Sequence, residues 1–159
     1  LRKYKILKVL HHMQGTPSSM QKNPKYKNVL LDIYDYFEKN LKTKLRDSKV
    51  ILDPGIGFGK TLKHNLTLIS KISLFHSLGL PILVGTSRKR FINQISGQYD
   101  SKERIGGTLG SVIFLLSQGV QIFRVHNVKE VKQGILVFKK ILINKWKINI
   151  LEPMVLEEE

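Results

Sequence analysis

The chain has 159 residues, 42% of them hydrophobic, and carries 27 lysines and arginines against 12 aspartates and glutamates, a formal net charge of +15. That length suits one domain or part of one, and the absence of cysteine excludes disulfides and thiolate metal sites. No apolar run approaches the roughly 18 residues of a membrane span, and charge interrupts Leu1-Arg-Lys-Tyr-Lys-Ile-Leu-Lys8 too often for a signal peptide, so the expected location is the cytoplasm, with no membrane partner.

A charge of this size raises the possibility of a nucleic-acid partner, because clustered lysines and arginines neutralise phosphates. The distribution argues against it. Lysines such as those of Glu38-Lys-Asn-Leu-Lys-Thr-Lys44 are spread over polar helix faces, and no basic stripe alternates with aromatic residues.

Taken in order, the chain repeats strand, loop and helix four times. Ile6 to Leu10 reads as a strand entering the loop His11-His-Met-Gln-Gly-Thr-Pro17, and Val29 to Leu45 reads as a helix with Leu30, Ile33, Phe37 and Leu41 on one face. Val50-Ile-Leu-Asp53 reads as a second, fully buried strand, stopped by Pro54 and followed by Gly55, Gly57 and Gly59. Its helix is expected from His64 to Leu78, with Leu66, Ile69, Ile72 and Phe75 inward and Gly79 as the stop. Pro81 to Val84 is the third strand, with the loop Gly85-Thr-Ser-Arg-Lys89 and a helix from Lys102 to Gln118. Gln121 to His126 is the fourth, before a helix carrying Val131, Ile135, Phe138 and Leu142. Residues 148–159 read as a C-terminal tail, frayed at Glu157-Glu-Glu159.

The glycine loop fits no nucleotide motif. A P-loop would need glycine where Pro54 stands, and the dinucleotide fingerprint would need it at Lys60. A glycine-rich turn with no ligand stays open on these residues alone. Alternating strands and helices imply right-handed crossovers and a parallel sheet, either a small open α/β sheet or about half of a (β/α)8 barrel, which takes about 250 residues. Polar clusters after all four strands favour the half-barrel. Such a sheet leaves its first and last strands with open edges.

His12-Met-Gln-Gly-Thr-Pro17, Asp53-Pro-Gly-Ile-Gly-Phe-Gly-Lys60, Gly85-Thr-Ser-Arg-Lys89 and Arg124-Val-His126, in this order, resemble the strand-end motifs of the dihydropteroate synthase family. The resemblance covers roughly residues 9 to 142 and implies the C-terminal half of a (β/α)8 barrel, with residues 1–147 as its domain. It implies a transferase of folate biosynthesis that joins p-aminobenzoate to 6-hydroxymethyl-7,8-dihydropterin diphosphate, releasing pyrophosphate with the help of magnesium. Asp53, Lys89 and Arg124 are then expected at the pterin, Phe58 and Ser87 at p-aminobenzoate, and Arg124 with His126 at the diphosphate. Lys89, Arg124 and His126 are the expected catalytic group, while Lys60 and Arg88 shape the site. No metal ligand is expected in this chain, because the family's magnesium-linked asparagine belongs to the other half. A complementing N-terminal half is a possible partner, and a complete enzyme is expected to be a homodimer.

Two positions depart from the family pattern. His11 stands where methionine is common, and Asn127 replaces a common aspartate. A non-catalytic half-barrel or interaction module, and less favourably a basic nucleic-acid-binding protein, are the alternative readings.

Overall fold

The computed structural model describes residues 7–43, 49–146 and 152–158. Ile6, Leu45 and the expected boundary after residue 147 lie outside them. The chain forms two compact units, Leu1–Val84 and Gly85–Glu159.

In the first unit, β1 (Lys8–His11) lies parallel to β2 (Val50–Asp53), in a register that sets His11 beside Asp53. A parallel bridge from Leu52 to Ile82, supported by Leu52 N–H donating to the Pro81 carbonyl at 2.9 Å, continues the sheet toward β3 (Leu83–Val84). Every residue of β2 is buried, as its unbroken apolar run requires. The helix α1 (Val29–Thr43) starts where the Asn28 side chain accepts from the Leu30 and Leu31 amides, and it buries Val29, Ile33 and Phe37.

The second helix differs from expectation. It divides into α2 (Leu62–Ser70) and a 3-10 segment (Ile72–Leu78) that ends at Gly79. Thr61 and His64 cap α2 reciprocally. Leu68 takes the inner position expected of Leu66, which is exposed. The tighter segment still buries Ile72 and Phe75, because residues three apart eclipse in a 3-10 helix. Phe75 meets Phe37 edge to face, with centroids 5.5 Å apart, at the centre of this core.

The second unit contains α3 (Arg90–Ser96), α4 (Ile105–Ser117), β4 (Ile122–Val125), α5 (Val128–Trp146) and β5 (Met154–Glu157). The short α3 was not expected, and α4 begins three residues later than its pattern suggested. The larger correction is at the C-terminus. Met154–Glu157 is a strand parallel to β4, pairing Ile122 with Met154 and Val125 with Glu157, so the tail is ordered at Glu157 and the β4 edge is occupied. Backbone bonds carry this strand: Met154 N–H donates to Gln121 and Glu158 N–H to Val125, both at 2.8 Å.

Phe37→Ala is expected to cost about 3–5 kcal/mol, the usual range for emptying a fully buried aromatic site, measured by urea unfolding; a loss under about 1 kcal/mol would contradict the core described here.

Candidate functional site

Asp53 ends β2 only 4% exposed, and its carboxylate is held on both oxygens. The Gly55 amide donates to Oδ1 at 2.9 Å, and His11 Nδ1 lies 2.9 Å from Oδ2. A carboxylate only accepts, so His11 carries its proton on Nδ1. Each carboxylate oxygen has two lone pairs, which leaves one apiece for a planar donor pair. His11 also stands edge-on to Phe58, at 4.8 Å between centroids. The unusual histidine thus links the expected pterin anchor to the expected aryl contact.

The glycines of this loop serve close packing of the chain on itself. Gly55 has φ +68°, and a Cβ there would lie 2.0 Å from the His12 carbonyl oxygen; at Gly59, φ +61°, it would lie 2.8 Å from that of Gln14. Side chains complete the seam. Tyr26 O–H donates to the Gly59 carbonyl at 2.9 Å, Gln21 bonds to the Gly57 carbonyl, and the Asn65 side chain accepts from Gly57 N–H at 2.8 Å.

Lys60 is buried beneath the loop and donates to the Phe58 carbonyl at 2.9 Å, with His12 Nδ1 at 3.3 Å and the His12 carbonyl at 3.4 Å. It ties the end of β1 to the glycine loop, which gives its expected shaping role a concrete form. Burial, only partly offset by Asp53, brings its pKa down to about 7. Burial, then Lys60 and His11, lowers His12 to about 4, so near neutral pH its ring is uncharged and can accept from Lys60. Burial, then Asp32, raises Tyr26 to about 12, keeping it a donor.

In the second unit the loop Gly85 to Lys89 is fastened to α4. Ser111 O–H donates to Thr86 Oγ1 at 2.8 Å, Arg88 N–H to Thr108 Oγ1 at 3.2 Å, and Arg104 to the Arg88 carbonyl at 2.8 Å. These contacts hold Arg88 at φ +57°, a conformation that costs a non-glycine residue about 1–2 kcal/mol. The Arg88 guanidinium donates to Asn127 Oδ1 at 3.0 Å, so the side chain of that departure from the family pattern serves the loop.

Ser87 is buried against His126. Its Oγ accepts from the His126 amide at 3.2 Å and lies 2.9 Å from Nδ1, fixing the ring. Burial lowers the His126 pKa; Glu158 opposes this, while Arg88 and Lys89 add to it. Lys89 Nζ is 3.5 Å from Glu158 Oε1, and His126 Nδ1 is 3.6 Å from Oε2. Arg124 is half-buried on β4, two residues before His126.

Thus Asp53 and Phe58 belong to one cluster, and Ser87, Lys89 and His126 to another, with Arg124 on the adjoining strand. Sequence reasoning missed Tyr26, Asn65, Thr108, Ser111 and Glu158. Asn65 reaches Gly57 across eight residues and the others make contacts at longer range, none of which a local period signals.

The family model described as "Pterin binding enzyme" matches residues 1–126, and the chain belongs to that family. Within it, the relatives are dihydropteroate synthases. The Escherichia coli K12 enzyme is 40% identical over 140 residues, covering 86% of this chain and 49% of the relative. The Thermus thermophilus enzyme in complex with 4-aminobenzoate superposes with a TM-score of 0.81 at 34% identity, over 86% of this chain and 57% of that one. The same enzyme in complex with 6HMPPP gives 0.82 at 34% identity, over 86% and 56%. The chain spans about half the length of the curated relatives it matches. Among the described residues, no helix is long and apolar enough to cross a membrane.

Two outcomes test this geometry. Gly55→Ala is expected to lose about 2–4 kcal/mol, combining left-handed strain with overpacking, as read by the urea midpoint. For His12, the folded pKa near 4 lies below the ordinary 6.5, so between these values the unfolded chain binds more protons and stability rises with pH. That rise is about 3 kcal/mol for His12, and His12→Phe should remove it; identical pH profiles for the two chains would show that His12 is not buried neutral.

Proposed function

We propose that the chain is the C-terminal, pterin-binding half of a dihydropteroate synthase, built as four βα units of a (β/α)8 barrel and working in the cytoplasm as part of a dimeric enzyme. The observation that carries this reading is Asp53, buried at the carboxyl end of β2 with both oxygens oriented and a lone pair left on each. That array suits the N–H and amine edge of a pterin, which presents two parallel donors.

In the proposed enzyme the other residues take separate parts. Phe58, backed by His11 and with its carbonyl held by Lys60, offers an aromatic face to the p-aminobenzoate ring. Lys89 and Arg124 add donors to the pterin, and Arg124 and, when protonated, His126 take the charge of the diphosphate. Ser87, expected at the p-aminobenzoate carboxylate, acts first by orienting His126. In the reaction the carbon–oxygen bond to diphosphate breaks, the aniline nitrogen forms the new bond to the pterin methylene, and that nitrogen then loses a proton. Cations beside the leaving diphosphate stabilise the charge it carries away.

Magnesium is expected of the family, but no group of three or more His, Cys, Asp or Glu side chains among the described residues could hold a metal ion.

Residues 1–159 alone are expected to bind 6-hydroxymethyl-7,8-dihydropterin diphosphate without turnover, and to form dihydropteroate once a compatible N-terminal half is supplied. Asp53→Ala should weaken pterin binding at least about 100-fold, the scale of a lost bidentate charged contact. Calorimetry and a dihydropteroate assay read these outcomes. Pterin binding indifferent to Asp53→Ala would overturn the site, and pterin binding with no turnover after complementation would favour a non-catalytic remnant.

A further inference from the structure

The C-terminal strand lies beyond the residues that match the family model, yet the chain leaves it beside Lys89 and His126 of the proposed site. Three features describe how it is held. None of Met154–Glu157 is buried, whereas Ile122, Phe123 and Val125 of the strand beneath are; the attachment is chiefly backbone. A half-open cavity of about 220 Å³, lined by Lys132, Ile135, Leu136, Pro153 and Val155 among others, lies between part of this segment and α5, so packing there is incomplete. One ion pair, Lys139 to Glu152 at 3.8 Å, fastens its start, and Glu152 is largely exposed.

At the other end, the Glu158 carboxylate faces Lys89 at 3.5 Å and His126 at 3.6 Å. Its Oε2 is buried without a hydrogen-bond partner among the described residues. A buried acceptor in that state carries an unrecovered desolvation cost. The Glu158 carboxylate thus faces one ammonium and one imidazole of lowered pKa, incompletely satisfied, at the end of a strand none of whose residues is fully buried.

We propose that residues 152–158 form a displaceable plug, in which β5 holds the edge of β4 and places the Glu158 carboxylate on Lys89 and His126, where an anionic ligand must displace it. The inference rests on the diphosphate reading of those two residues and deepens it. The class of ligand that competes is a phosphate or diphosphate, whose oxygens can accept from Lys89 and His126 at once at closer range than the carboxylate reaches. Removal of the plug's charge frees the site without touching Lys89 or His126.

The test uses the full chain and inorganic pyrophosphate. In calorimetry at fixed ionic strength, Glu158→Gln should bind pyrophosphate about tenfold more tightly than the parent chain, the effect of removing one partly screened competing charge. A second readout is independent of any ligand. Glu158 raises the His126 pKa, so its loss should shift the His126 imidazole titration, followed by NMR, to lower pH. Equal pyrophosphate affinity of the two chains overturns the plug alone. An unmoved His126 titration overturns the contact on which it depends. Binding to neither chain overturns the diphosphate reading together with the plug, and tighter binding with a lowered titration supports both.

Discussion

A carboxylate sealed at the end of an all-buried strand is tolerable only if donors meet it, because an uncompensated buried charge costs several kcal/mol. Asp53 is in that position, and much of the first unit is arranged to supply it. The chain turns back so that the Gly55 amide points at Oδ1, and the parallel register brings His11 level with Oδ2. Holding the turn requires left-handed backbone directly against the His12 and Gln14 carbonyls, where a Cβ has no room. Lys60, Tyr26 and Asn65 then take up the polar groups that the turn exposes to one another. The glycine loop is a consequence of seating that carboxylate, and the lone pair left on each Asp53 oxygen is what the proposed pterin contact uses.

The second unit follows a similar logic with the opposite charge. Arg88 is forced into a left-handed conformation, and α4 holds the loop there through Thr108, Ser111 and Arg104. That fixed loop sets Ser87 against the His126 ring and leaves Lys89 close by. Burial, with Arg88 and Lys89 nearby, disfavours a charged His126 and lowers its pKa. An anion opposes this. Within the chain Glu158 is that anion, and in the proposed reaction it is the diphosphate.

Much of this was legible in the sequence, for physical reasons that also mark where legibility ends. The all-apolar run of β2, the 3.6-residue period of α1 and the stop at Gly79 are local signals, and each produced its element. The ordered strand-end motifs were enough to suggest the family. The break near Lys71 was hidden because an apolar face with spacings of three and four is shared by an α-helix and a 3-10 segment. β5 was hidden because its few apolar residues sit between Pro153 and glutamates, and its stability comes from backbone pairing with β4. The partners His11–Asp53, Ser87–His126 and Lys89–Glu158 lie far apart in sequence, so their residue types were visible while their pairings were not. The glycine-rich turn was visible, but not that Gly55 and Gly59 make room for the chain's own carbonyls.

The central claim is that the orientation of the Asp53 carboxylate makes this chain a pterin binder. A crystal structure of the chain with 6-hydroxymethyl-7,8-dihydropterin diphosphate tests it most directly. The account predicts a ring N–H and the exocyclic amine of the pterin each within about 3 Å of a different Asp53 oxygen, with the Gly55 amide still donating to Oδ1. A pterin bound elsewhere, or one that reaches Asp53 only after the Gly55 contact is lost, would contradict it.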